Sequence, residues 1–371
     1  MKTPFLPILI ILFALISLTF LASFLGDDAP YSNDSSCRLS FLNLNQKIGS
    51  KQSLNIFERI DIETGYELTY GWKDYRGDGY SMTFSVSKQQ LSDAEEEYGY
   101  YPEELEKYLE ESYEKMREEM MIYLEEFARR QIERSKYPQY ILIEKIDSKK
   151  FRLKISVPSA LYEEVKASSE IIKDKLTAEE NAYLLKIDKE QKKKEKAFLE
   201  RKGFRVIGDT IGVDYSVCVR NNRPRLKNVV DRMKKIKKRM SLRQLLFLMS
   251  AFIQEIKYGI PPFEENNKII AEFWVPPKVL VNNFGDCDSK GVAFASMWTN
   301  FKRYPLILIK IPKHMFLGLA IPSIGRDEIT INGLNYTLCE VTGPDKIPPG
   351  WITNYSRFYL ESGRFRYELI R

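Results

Sequence analysis

The longest apolar run lies at the start of the chain, where no charged side chain occurs between Pro4 and Leu25. As a helix this run is ~33 Å long, enough to cross a hydrocarbon core about 30 Å thick. No small-x-small cleavage pair closes it, because Phe20 with Ala22 and Phe24 with Gly26 each put a large residue where a small one is needed. The pattern predicts an uncleaved membrane anchor over 1–26 and a polar linker over 27–50. Lys2 before the run and Asp27 and Asp28 after it orient the body outside the cytoplasm.

Beyond the linker the periodicity falls to two. Tyr66 to Ser87 alternates apolar and polar residues on both sides of Lys-Asp-Tyr-Arg-Gly-Asp-Gly, which predicts a β-hairpin. Asp74, Asp78 and Gly79 lack the regular acidic spacing of a calcium loop and are assigned to the turn. From Pro102 the period becomes helical: Leu105, Leu109, Tyr113, Met116, Met120, Tyr123, Leu124 and Phe127 form one stripe, with glutamates opposite. A strand pair at 140–143 and 151–157 precedes a second helical stretch over 160–202, where Thr177 and Glu180 have capping-box spacing and Gly203 supplies a stop. Its Lys189 to Lys202 portion is a solvated charge run. The two helices are expected to pair, leaving a surface for a partner, within an α+β region spanning 51–205.

Between Arg220 and Arg243 there are 11 lysines and arginines against one acid, Asp231. Val229, Met233, Ile236 and Met240 recur at helical spacing through this stretch, so the charges are the wet side of a helix and not a nucleic-acid surface. Ser241 and Gln244 form a capping box for an almost wholly apolar helix over 242–258, ended by Gly259 and Pro261-Pro262. A further buried helix begins near Cys287, with Phe294, Met297, Trp298 and Phe301 interleaved with small residues. Extended segments follow at 305–310, 315–321, 330–331 and 336–342, suiting an antiparallel sheet against that helix. The fold class is α+β, with 206–371 as the domain carrying the chemistry.

Composition changes this picture little. The 371 residues are 44% hydrophobic and 29% charged, and 57 basic side chains nearly balance 51 acidic ones, which excludes a strongly polyanion-directed protein. The four cysteines, Cys37, Cys218, Cys287 and Cys339, include no C-x-x-C pair, and with one histidine in the chain no metal or other cofactor is expected. Either two of Cys37, Cys218 and Cys339 form a disulfide, or Cys218 and Cys339 are buried apolar side chains within strands.

That one histidine, His314, stands 27 positions after Cys287. Imidazole is the side chain that exchanges a proton near neutral pH, and a thiol nucleophile needs such a base. Cys287 falls at a helix start, where free N–H groups and the helix dipole favour a thiolate and an adjacent oxyanion. Asp286 and Asp288 oppose this unless both point away. Glu340, on the strand beside His314, is the candidate to orient the imidazole; Asp327 is the alternative.

In the order Phe-Ile-Gln-Glu-Ile-Lys-Tyr, Phe-Trp-Val-Pro-Pro-Lys-Val-Leu, Gly-Asp-Cys-Asp-Ser-Lys, Lys-His-Met-Phe-Leu-Gly-Leu-Ala and Tyr-Thr-Leu-Cys-Glu-Val-Thr, the stretch 242–344 resembles the transglutaminase-like cysteine protease superfamily of bacteria and archaea. That resemblance implies a papain-like core, a triad of Cys287, His314 and Glu340, a protein or peptide substrate and a thioester intermediate. The third member departs from the aspartate more usual in the family. The contrasting reading is a non-catalytic module of the same fold that binds peptide or cell-envelope material.

Overall fold

The computed structural model describes the backbone of Arg38–Ser40 and residues 56–370, apart from 148, 209, 237–239, 302–303 and 344. The expected anchor lies outside the described residues, as does most of the linker. Among the described residues no helix is long and apolar enough to cross a membrane. The chain groups into two compact units, one made of everything up to Tyr100 together with Glu200–Arg371, the other of Tyr101–Leu199. In the first unit Gly99 N–H donates to Lys202 O at 3.0 Å, so its two stretches of chain meet where the second unit's sequence leaves and returns.

The first unit is α+β. Its main sheet has six strands, all antiparallel, in the order Arg38–Ser40, Glu328–Ile331, Leu334–Cys339, His314–Leu319, Leu306–Ile311 and Arg366–Ile370. Burial on both faces explains why the central strands read as continuous apolar runs instead of alternating. On one face lies the helix Cys287–Trp298, buried from Ser289 onward. The small residues let it approach: a Cβ on Gly291 would stand 3.2 Å from the Met315 side chain. On the other face Ile307, Ile309, Phe316 and Leu338 cluster with Ile352, Leu360 and Phe365, which come from the chain beyond the expected sheet. That chain forms the helix Asn354–Glu361 and the edge strand Arg366–Ile370.

The expected hairpin is present as Gly65–Lys73 and Gly79–Ser87, with Asp74 Oδ1 accepting from the N–H groups of Arg76 and Asp78 in the turn. Leu68, Tyr70, Trp72, Met82, Phe84 and Val86 are buried, and Tyr70 and Trp72 meet Phe252 at ring distances of 5.1 and 5.2 Å. A third strand, Ile56–Ile62, pairs with the hairpin although its pattern predicted none. It is an edge strand whose isoleucines stay largely in solvent (Ile60 is 56% exposed), so no burial alternation marked it.

Three expectations need correction. The apolar helix runs Leu242–Glu255, and Lys257–Tyr258 is extended, pairing in parallel with Phe284–Gly285. Cys218 is buried as expected, but in the helix Tyr215–Asn222, which Asp214 caps by accepting from Val217 N–H. Thr177 caps nothing: it lies inside the helix Tyr162–Arg201, and its hydroxyl donates to Lys173 O at 3.0 Å. The Ser241–Gln244 capping box is present.

The second unit pairs the helix Pro102–Glu133 with Tyr162–Arg201 and carries the hairpin Ile141–Asp147 and Lys150–Ile155. Met120, Leu124 and Ile187 form one core cluster, and Ile132, Ile141, Val165 and Ile172 another.

Trp72 is fully buried against Phe252, so Trp72→Ala is expected to cost about 3–5 kcal/mol of unfolding free energy, read as a lower urea midpoint. An unchanged midpoint would show that the hairpin does not share the core of the Leu242–Glu255 helix.

Candidate functional site

Cys287 owes its position to three backbone features. The short helix Pro276–Asn282 ends on Asn283 in the left-handed region (φ 49), a conformation asparagine tolerates better than most residues. The chain is then pinned in the two-residue pairing of Phe284–Gly285 with Lys257–Tyr258. Asp286, extended, caps the next helix by accepting from Ser289 N–H at 3.2 Å. Cys287 is therefore the first helical residue. One turn on, Ser289 Oγ accepts from Trp274 N–H at 3.0 Å and fastens the preceding segment to the helix.

His314 opens its strand directly after the tight turn at Pro312-Lys313 and is paired across the ladder with Ile311. Its Nε2 lies 2.6 Å from Glu340 Oε2, which leaves Nδ1 as the second ring nitrogen. Glu340 follows its strand's last residue and is 4% exposed. Its other oxygen, Oε1, accepts from the Ser356 hydroxyl and, at 3.4 Å each, from Thr353 N–H and the Thr353 hydroxyl. Thr353 is the N-cap of the helix Asn354–Glu361, so the carboxylate sits at a helix start with both oxygens held. Thr353 and Ser356 were missed in the sequence. The signal was a capping threonine just after Pro348-Pro349-Gly350, beyond the stretch read as sheet.

Asp327 is placed elsewhere. Fully buried, it accepts from Ile352 N–H at 2.9 Å and from Arg357 Nη2 at 2.7 Å. It therefore holds the helix that carries Ser356 and does not meet the histidine itself.

The thiol lies by the histidine strand, where the Met315 backbone N–H is near enough to lower its pKa. The peptide that joins His314 to Met315 thus lies against the sulfur. Burial acts the other way and dominates, and the charges of Asp288 and Asp286 add to it, so the thiol is held well above its ordinary value. Lys310 opposes them weakly.

Asp286 caps the helix, but the condition that both acids stand away from the thiol is not met. One donor atom each from Asp286, Cys287 and Asp288 lies within 4.8 Å of the others. Burial first, and Asp288 second, push the Asp286 carboxyl up to about 9, so at neutral pH it keeps its proton and shares it with Asp288. Asp288 Oδ2 also accepts from the Tyr215 hydroxyl at 2.7 Å. The same trio is the candidate metal-ligand set among the described residues, with Asp286 already committed to Ser289 N–H and Asp288 to Tyr215. Tyr258, 48% exposed, stands near enough to feel these groups: burial and then the Cys287 charge push its hydroxyl up to about 12.

No family model, no curated protein and no solved structure matches the chain.

Asp286→Asn keeps the cap acceptor and supplies an amide in place of the shared proton. In the native protein the raised carboxyl favours folding fully only below the unfolded value near 3.9, and that contribution is lost as pH climbs toward about 9. The variant is therefore expected to gain stability relative to the native chain between pH 4.5 and 7, by at most about 1.4 kcal/mol per pH unit. Urea titrations across that range check it, and a pH-independent difference would exclude the shared proton.

Proposed function

We propose that this chain is an acyl-transfer enzyme of the transglutaminase-like cysteine protease superfamily, with a papain-like core, in which Cys287 is the nucleophile, His314 the proton carrier and Glu340 its orienter. The observation that carries the reading is Nε2 of the chain's one histidine on Glu340 at 2.6 Å, on a strand whose next residue, Met315, has its backbone N–H near enough to Cys287 to act on the thiol. Glu340 fixes the ring's tautomer and supports the imidazolium once it forms, leaving Nδ1 to exchange the proton with sulfur.

The chemistry follows from the resting state of the thiol. Because burial and the charge of Asp288 hold it protonated, proton transfer to His314 accompanies attack on an amide carbonyl instead of preceding it. The new C–S bond forms as the carbonyl π pair moves to oxygen. When the tetrahedral intermediate collapses, His314 returns the proton to the departing amine and a thioester remains. Water, deprotonated by His314, then releases the acid; a primary amine in its place gives a new amide. Free N–H groups at the start of the cysteine helix are suited to the transient oxyanion. The substrate class is a protein or peptide amide, and the apolar run before Gly26 would hold the enzyme at a membrane with its body outside the cytoplasm.

The raised thiol favours a second reading, a binding module of the same fold with an inert cysteine. Iodoacetamide labelling of Cys287, followed by mass spectrometry from pH 5 to 8, separates the two. The enzyme reading expects a His314→Ala change to slow labelling by about tenfold or more. Equal rates in the two proteins leave the binding module. Peptide amides turned over with and without an added primary amine then distinguish hydrolysis from transfer.

A further inference from the structure

Two buried polar side chains near the site take no part in the reaction described above. Lys290, one turn beyond Cys287 on the same helix, is 0% exposed. A fully buried amine is costly unless its N–H groups are used. Here Nζ donates to Ile256 O at 2.6 Å and also to Thr342 O. The second side chain, Gln254, is 4% exposed; its Nε2 donates to Glu340 O and, at 2.8 Å, to Ile347 O, while its Oε1 accepts from Tyr75 OH at 3.1 Å. The two are linked through the end of one helix, since Gln254 lies in its last turn and Ile256 caps it.

The acceptors share a location. The strand that leads to Glu340 ends at Cys339, so the backbone from Glu340 to Thr342 lies outside the sheet's ladder. Its Glu340 and Thr342 carbonyls are taken instead by Gln254 and Lys290. Gly343, at φ 69, then passes so close to Gln254 O that a Cβ would stand 2.8 Å away. A glutamine on the neighbouring helix thus holds the backbone of the residue that faces His314, and a lysine on the cysteine helix holds the same segment two residues further on, at Thr342.

We infer that Lys290 and Gln254 are positioning residues that set where Glu340 stands against His314, and so tie the acid to the helix that presents Cys287. Burial pushes the Lys290 amine down to about 7 against the pull of Asp286, Glu255 and Cys287. Two N–H donors are present in either charge state, so the tie survives on both sides of neutrality. The consequence for catalysis rests on the proposed function, whereas the placement of Glu340 does not.

The lone histidine makes the test direct, because full-length protein labelled with 15N-histidine has one imidazole to observe. The native chain is expected to show an exchange-protected, low-field Nε2–H resonance that Glu340→Gln abolishes. Lys290→Met and Gln254→Met are expected to lose it, or to exchange it about tenfold faster or more, while urea melts show both folded. Gln254→Met keeps Lys290 and supplies the same reading should Lys290→Met fail to fold. A folded variant with the native resonance and native exchange rate overturns the inference, as does a native chain in which Glu340→Gln changes nothing. Iodoacetamide rates on the same samples keep the two ideas apart. If His314→Ala leaves labelling unchanged, the enzyme reading falls and the resonance still decides the role of Lys290 and Gln254.

Discussion

Burying a carboxylate is unfavourable unless its oxygens are occupied, and the arrangement around Glu340 meets that requirement on every side. One oxygen faces the imidazole, and the other takes the hydroxyl and backbone donors of Thr353 and Ser356. Those donors exist only because a helix starts at Asn354, and that helix is held by Arg357 on Asp327 and by Leu360 in the apolar layer beneath the sheet. Meeting the needs of one buried acid thus draws in chain on both sides of it. The edge strand Arg366–Ile370, which follows this helix in the chain, closes that side of the sheet.

The thiol is in the opposite situation. Its helix start and the Met315 N–H favour negative charge, while desolvation and two neighbouring acids resist it, and the resistance is larger. Protonation of Asp286 moderates the conflict: one of the two acids adjoining the sulfur is neutral at physiological pH. The thiol therefore rests uncharged, which limits adventitious alkylation and oxidation of a partly exposed cysteine.

Legibility in the sequence followed how much of a signal was local. The paired long helices, the Tyr66–Ser87 hairpin and the buried cysteine helix were readable because period and capping residues are properties of neighbours in the chain. Bringing Glu340 beside His314 was also readable from strand order, although Glu340 lies just past its strand, which ends at Cys339 instead of running to Thr342. Thr353, Ser356, Gln254 and Lys290 were not, since a serine after a cap or a lysine in an apolar helix acquires meaning only from what it meets across 13 to 86 positions. Thr177 shows the converse: the spacing of a capping box is common, and inside a 40-residue helix it marks no boundary.

The contact between Gly99 and Lys202 bears on how the molecule can fold. The unit that contains Cys287 and His314 is built from two stretches of chain with about a hundred residues between them, a separation that would slow assembly if the ends had to find each other by diffusion. The intervening sequence folds into a helical pair around its own apolar clusters. Once it has done so, the effective loop joining the two stretches is short, and an insertion that lengthens the chain becomes a splint that brings its own ends together.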